Sequence, residues 1–260
     1  MDYVNFVIGV NGFLLALVAY LLASKGQPYR VPWRAIIVFG FCTGIEFAGR
    51  LILFQYPEVT WISVAALGFR FFSYIALVEF NRVLWKIRGF ANGGKFLYLV
   101  PAAVLVWIAA AAPPANTSTV FWTFTLLEKF VGIPLGAATL FSSLWVIRKE
   151  RQDFHAWLHM GIALLSAWIL FDGVLSESES SLALLSLRTK SLSETTGFYF
   201  EFLLAILAFL TVVALWVLYV QYTWEEDRFA FAGKRWSKVL LPFLIIWVIL
   251  AGSGIGLTQF

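Results

Sequence analysis

Eight long apolar runs separated by short polar stretches constrain this chain more than any other feature. They fall at about residues 4 to 23, 33 to 54, 61 to 85, 96 to 112, 121 to 147, 155 to 174, 198 to 222 and 237 to 257. A bilayer core of about 30 Å takes roughly 20 residues of helix per crossing, and a helix satisfies its backbone hydrogen bonds where no water can. The spacing therefore predicts an all-α, polytopic integral membrane helix bundle of about eight transmembrane helices, forming a single domain over residues 1 to 260. With 61% hydrophobic and 13% charged residues, little is left for a soluble domain. Met1 to Phe6 carry no Lys or Arg, and the run that follows is longer than a signal-peptide core. The first run is expected to stay in the membrane.

Basic residues set the expected orientation, because short loops rich in Lys and Arg remain cytoplasmic. Lys25, Arg30 and Arg34, then Lys86, Arg88 and Lys95, then Arg148, Lys149 and Arg151, then Arg228, Lys234, Arg235 and Lys238 place 13 basic residues on one face, against Arg188 and Lys190 on the other. The N-terminus and C-terminus are thus expected outside, in a bacterial inner membrane. The longest loop, about 175 to 197, also lies outside, and Leu182, Leu184, Leu185 and Leu187 suggest a short interfacial helix there. The net charge of +4 follows from this topology and calls for no nucleic-acid partner.

Trp33, Trp61, Trp85, Trp122, Trp157, Trp224 and Trp236 fall near span ends, where aromatic belts sit at the interface. A single Cys42 excludes an internal disulfide and a cysteine metal cluster. His155 and His159, four apart, offer one helix face to a metal, but zinc needs a third protein ligand. Haem would need ligands on opposite faces of the iron, and the chain has two His in all, both on this helix. A retinal Schiff base needs a buried Lys, and Lys129 beside Glu128 near a span end is a poor one. No cofactor is assigned. No Walker loop, nucleophile elbow or paired-carboxylate motif is present, so the chain is expected to catalyse nothing by itself.

Charges at membrane depth cost a few kcal/mol each on insertion scales, face the bundle interior and mark functional sites. Glu46, Arg50, Arg70, Glu79, Arg82, Glu128, Asp172 and Glu201 lie within the runs. Glu46 and Arg50 are four apart and Glu79 and Arg82 three apart, spacings at which side chains on a helix meet. One reading is a set of intrahelical ion pairs that only neutralise cost. The sharper reading is a shared polar pocket, open to the outside, that binds a small polar or amphipathic ligand. Ala251, Gly252, Ser253, Gly254 and Gly256 form a small-residue face on the eighth run that permits close helix approach.

Several segments resemble the N-terminal membrane region of bacterial sensor histidine kinases and diguanylate cyclases. They are Phe39-Gly40-Phe41-Cys42-Thr43-Gly44-Ile45-Glu46-Phe47, Phe72-Ser73-Tyr74-Ile75-Ala76-Leu77-Val78-Glu79-Phe80-Asn81-Arg82, Gly132-Ile133-Pro134-Leu135-Gly136 and Thr196-Gly197-Phe198. The resemblance spans about residues 33 to 220 and implies a signal-input bundle without its kinase or cyclase region. The expected function is therefore a non-catalytic sensor domain that engages a small ligand or partner, in the bilayer, as a homo-oligomer or with another membrane protein. An accessory subunit of a larger membrane complex is the alternative. A transporter is less well supported, since no inverted repeat is evident.

Overall fold

The computed structural model of the chain describes residues 2–24, 31–55, 60–87, 98–99, 101–103, 106, 123, 126–147, 155–175 and 200–226. Among these the elements are helical: α1 (Asp2–Ser24), α2 (Trp33–Gln55), α3 (Thr60–Ile87), a π-helical turn (Glu128–Gly132) continuing into α4 (Ile133–Ile147), α5 (His155–Leu175) and α6 (Phe200–Glu226). Five stretches, Val4–Ser24, Trp33–Leu53, Trp61–Ile87, Ala156–Gly173 and Phe202–Thr223, are long and apolar enough to cross a bilayer. That is the pattern of a multi-pass membrane protein. In α1, Val4, Val7, Ile8, Asn11, Leu15, Val18 and Leu22 are buried, while Phe13, Leu17 and Tyr20 face outward. A helix apolar on both faces suits protein on one side and lipid on the other.

The helices close a ring in chain order. Helix α1 packs on α2, α2 on α3, α3 on α4, α4 on α5, α5 on α6, and α6 returns to α1. Across this ring Phe39 of α2 meets Trp168 of α5 edge to face, with centroids 5.9 Å apart, so the interior is filled by side chains at that level.

Glycine sets the α1–α2 distance. A Cβ on Gly12 would stand 2.8 Å from the Gly44 amide nitrogen, and one on Gly40 would stand 2.7 Å from the Gly12 carbonyl oxygen. The two backbones touch, which only residues without a side chain permit. Position 9 meeting Phe47, and 12 meeting 40 and 44, makes this pair antiparallel.

The α3–α4 pair runs the other way. Arg70 bonds Glu128, Asn81 bonds Thr139 and Trp85 bonds Ser142, at sequence separations of 58, 58 and 57. A constant separation over four turns means parallel neighbours in register.

One expectation is refined and one needs correction. The fifth run, read at about 121 to 147 with Pro134 able to kink it, is interrupted by the π turn Glu128–Gly132 just before Pro134. Proline lacks an N–H and its ring collides with the carbonyl four residues back; here the backbone widens so that the Ile133 N–H reaches the Glu128 carbonyl, five residues back. The aromatic belt also holds only in part. Trp61 is 72% exposed, but Trp33 is buried at 1%, and Trp85 donates to Ser142 Oγ at 2.7 Å. Both serve helix packing. Most of the fourth run, the eighth run with Gly252, Gly254 and Gly256, and the 175 to 197 loop lie outside the described residues.

Candidate functional site: a buried charge cluster

Four helical segments deliver charged side chains to one point. Glu46 and Arg50 come from α2, one turn apart. Arg70 comes from α3, Glu128 from the π turn, and Asp172 from the last turn of α5. Arg70 sits about 15 Å along α3 from its start and Glu46 about 14 Å from the end of α2, at 1.5 Å per residue. Helices α2 and α3 are antiparallel, so the two side chains arrive at the same level.

Arg70 is the hub. Its Nη1 donates to Glu46 Oε2 at 3.1 Å, and its Nη2 donates to Glu128 Oε1 at 3.2 Å and to Asp172 Oδ2. Arg50 forms the second bridge, its Nη2 donating to Glu128 Oε1 at 2.6 Å and lying 2.7 Å from Glu46 Oε1. Glu46 and Glu128 therefore each join both guanidiniums, whereas Asp172 pairs with Arg70. Arg70 is 2% exposed and Glu46 0%, while the Arg50 side chain keeps 29% of its surface open. Removing such groups from water costs several kcal/mol per ion, and close pairing with extra hydrogen bonds is what makes burial tolerable. Each guanidinium also lies over an aromatic ring, Arg50 over Phe47 and Arg70 over Tyr74, both with Cζ 5.0 Å from the centroid, a favourable cation–π arrangement.

The π turn aims Glu128. Gly173, next to Asp172, allows α5 to press against it, because a Cβ there would meet the Glu128 carbonyl oxygen at 2.8 Å. Gly132 leaves room for Tyr74, whose hydroxyl would stand 2.6 Å from a Cβ at that position. Pro134, the π turn and these two glycines thus form one device that seats Glu128 between α3 and α5. Such π turns recur at functional sites.

Of the residues expected to share a pocket, Glu46, Arg50, Arg70, Glu128 and Asp172 are brought together. Glu79 and Arg82 are not. Arg82 Nε and Nη2 donate to the Glu79 carboxylate at 2.6 and 2.5 Å, and Tyr98 donates to the same group. Arg82 is twelve residues beyond Arg70 on α3, about 18 Å along the axis, and this second pair is only half-buried. It is a separate clasp toward the other end of the bundle. Glu201 lies in the first turn of α6.

Sequence reasoning passed over Thr43, Tyr74 and Asn81 as site residues. Asn81 was open to recognition as a mid-span amide; buried at 0%, it donates to Thr139 Oγ1 at 2.8 Å and locks α3 to α4. Lys129, also buried, has no hydrogen-bond partner for Nζ among the described residues. No group of three His, Cys, Asp or Glu among the described residues is arranged to hold a metal ion. Comparison with protein-family models, curated proteins and solved structures gives no match.

Proposed function

We propose that the chain is a non-catalytic signal-input domain of the membrane, in which a small ligand or partner engaging the charge cluster changes how the helices pack. The observation that carries this reading is the hub itself. One buried guanidinium, Arg70, holds carboxylates from three separate segments, so any group that competes for Arg70 acts on α2, α3, α5 and the π turn together. Differential affinity for two packings is all such a mechanism requires. The resemblance of the Phe39 to Phe47 and Phe72 to Arg82 segments to sensor-kinase membrane regions points the same way.

The topology we propose has eight crossings, with the basic loops inside and both termini outside. Parallel pairing of α3 with α4 supports the fourth crossing, because the chain must return once between residues 87 and 128, and the apolar run at 96 to 112 has the length for it. With this orientation the cluster lies in the outer half of the bilayer of a bacterial inner membrane.

A second reading, an accessory subunit of a larger membrane complex, is favoured by the mutual pairing of Glu46, Arg50, Arg70, Glu128 and Asp172, which suits a static clasp. Arg50→Gln, placed in the chain in its native membrane, separates the two. Co-purifying membrane proteins and downstream phosphorylation or cyclic-dinucleotide output are both measured. The signal-input reading expects altered output with the same co-purifying proteins. Loss of a co-purifying complex with output untouched would overturn it in favour of the subunit.

A further inference from the structure

We propose that the level of the bundle one turn from the charge cluster, toward the C-terminal end of α3, binds a neutral oxygen acceptor held by Arg70, Tyr74 and Thr43. That acceptor is an internal water or the oxygen of a small uncharged ligand. The proposal deepens the signal-input reading by naming the class of ligand, and it rests on that reading only where the bound molecule is a signal.

Charge excludes an ion. Glu46, Glu128 and Asp172 face the guanidiniums of Arg50 and Arg70, and buried Lys129 interacts electrostatically with Glu128. Three carboxylates and three cations balance. An added ion would leave one buried charge uncompensated, which a low-dielectric interior penalises heavily. An uncharged molecule adds no such cost.

Hydrogen bonding then specifies the uncharged group. Thr43 Oγ1, Arg70 Nε and Tyr74 Oη have no hydrogen-bond partner among the described residues, although these residues are 0%, 2% and 1% exposed. Each of the three can donate. Glu46 Oε1, also without a hydrogen bond, has Arg50 Nη2 2.7 Å away, so the surplus is one of donors. Buried donors are normally satisfied by protein or ordered water, and a carbonyl, ether or hydroxyl oxygen of a ligand serves them equally.

The topology gathers these groups. Glu46 and Arg70 meet at 3.1 Å. Thr43 is three residues from Glu46 along α2 and Tyr74 four from Arg70 along α3; the helices are antiparallel, so both steps run the same way, by about 4.5 and 6 Å. The Tyr74 ring centroid is 5.0 Å from Arg70 Cζ, and Gly132 leaves its hydroxyl room. One turn further on, Phe39 of α2 and Trp168 of α5 meet edge to face. The proposed site thus lies between the Arg70 hub and an aromatic floor.

Thr43 and Tyr74 make no hydrogen bond to each other, so an oxygen shared between them is what would couple their hydroxyls. Thermal stability of the full chain in lipid nanodiscs is measured for Thr43→Val, Tyr74→Phe and the pair, and native mass spectrometry records any small molecule that stays bound. No signalling output is read, so failure here is distinct from failure of the signal-input reading. We expect the double variant to lose little more than the larger single loss. Thr43→Ser, which keeps the hydroxyl, should leave the effect of Tyr74→Phe undiminished. Coupling together with an added mass that Tyr74→Phe abolishes identifies a ligand, and coupling with no added mass identifies water. Additive losses in the double variant, or recovery of an acid or an amine as the bound molecule, would overturn the proposal.

Discussion

Arg70 Nη2 of α3 and Glu128 Oε1 of the π turn are 3.2 Å apart, both residues at most 4% exposed, and this contact fixes the level at which two parallel helices meet. The Asn81–Thr139 and Trp85–Ser142 bonds continue the same register toward the other end. Helix α3 is therefore the spine of the bundle, with the charge cluster at one end of a polar ladder.

Arg70→Leu leaves Glu46 and Glu128 sharing Arg50 and takes from Asp172 the guanidinium it pairs with. Removing one partner of a buried ion pair costs about 3–5 kcal/mol, so the purified variant should lose most of its cooperative thermal transition in detergent. Arg50→Leu should be milder, because the Arg50 side chain is 29% exposed and Arg70 still neutralises both glutamates. Equal losses at the two positions would contradict the hub role of Arg70.

Pro134→Ala restores the N–H and removes the ring clash that the π turn relieves. The turn should relax toward α-helix, rotating Glu128 by about 100° relative to α4 and moving it off Arg50 and Arg70. The expected readout is faster amide hydrogen exchange around residue 173 and a stability loss matching that of Glu128→Ala. Combining the two substitutions should add little, since both remove one interaction.

Gly40→Leu places a side chain where α1 and α2 touch backbone to backbone. Overpacking typically costs about 1–3 kcal/mol and occasionally more, and here the obstacle is main chain that cannot rotate away. Gly68→Leu is the control, because nothing lies within 4 Å of where a Cβ on Gly68 would stand and lipid can accommodate the change. Melting temperatures should separate the two variants clearly.

Reporter fusions test the proposed topology. A fusion at Asn92 should report a cytoplasmic position and one at Ser178 an exported position. Finding residue 92 exported would reverse the orientation, and finding residues 92 and 178 on one side would remove the fourth crossing.

Periodicity and hydrophobicity made the helices legible from sequence, because lipid admits few backbone conformations and the length of an apolar run follows from bilayer thickness. The spacing of Glu46 to Arg50 and of Glu79 to Arg82 likewise announced two intrahelical ion pairs, since four or three residues bring side chains together on any helix. Which charges meet across helices was another matter. Arg70 reaches Asp172 across 102 positions of sequence, and nothing local separates that partner from Glu79, nine residues away on the same helix. The closed order of the ring, the parallel register of α3 and α4, and the contact of Gly12 with Gly40 and Gly44 decide it. The π turn shows the same division: Pro134 announced a disturbed helix, but its direction, delivering Glu128 to two arginines, depended on Gly132 and Gly173 making room in neighbouring elements. Sequence by itself determined that charged residues would be hidden inside a helical bundle; the tertiary structure decided their partners, because burial forces each charge to find whichever opposite charge the packing brings within reach.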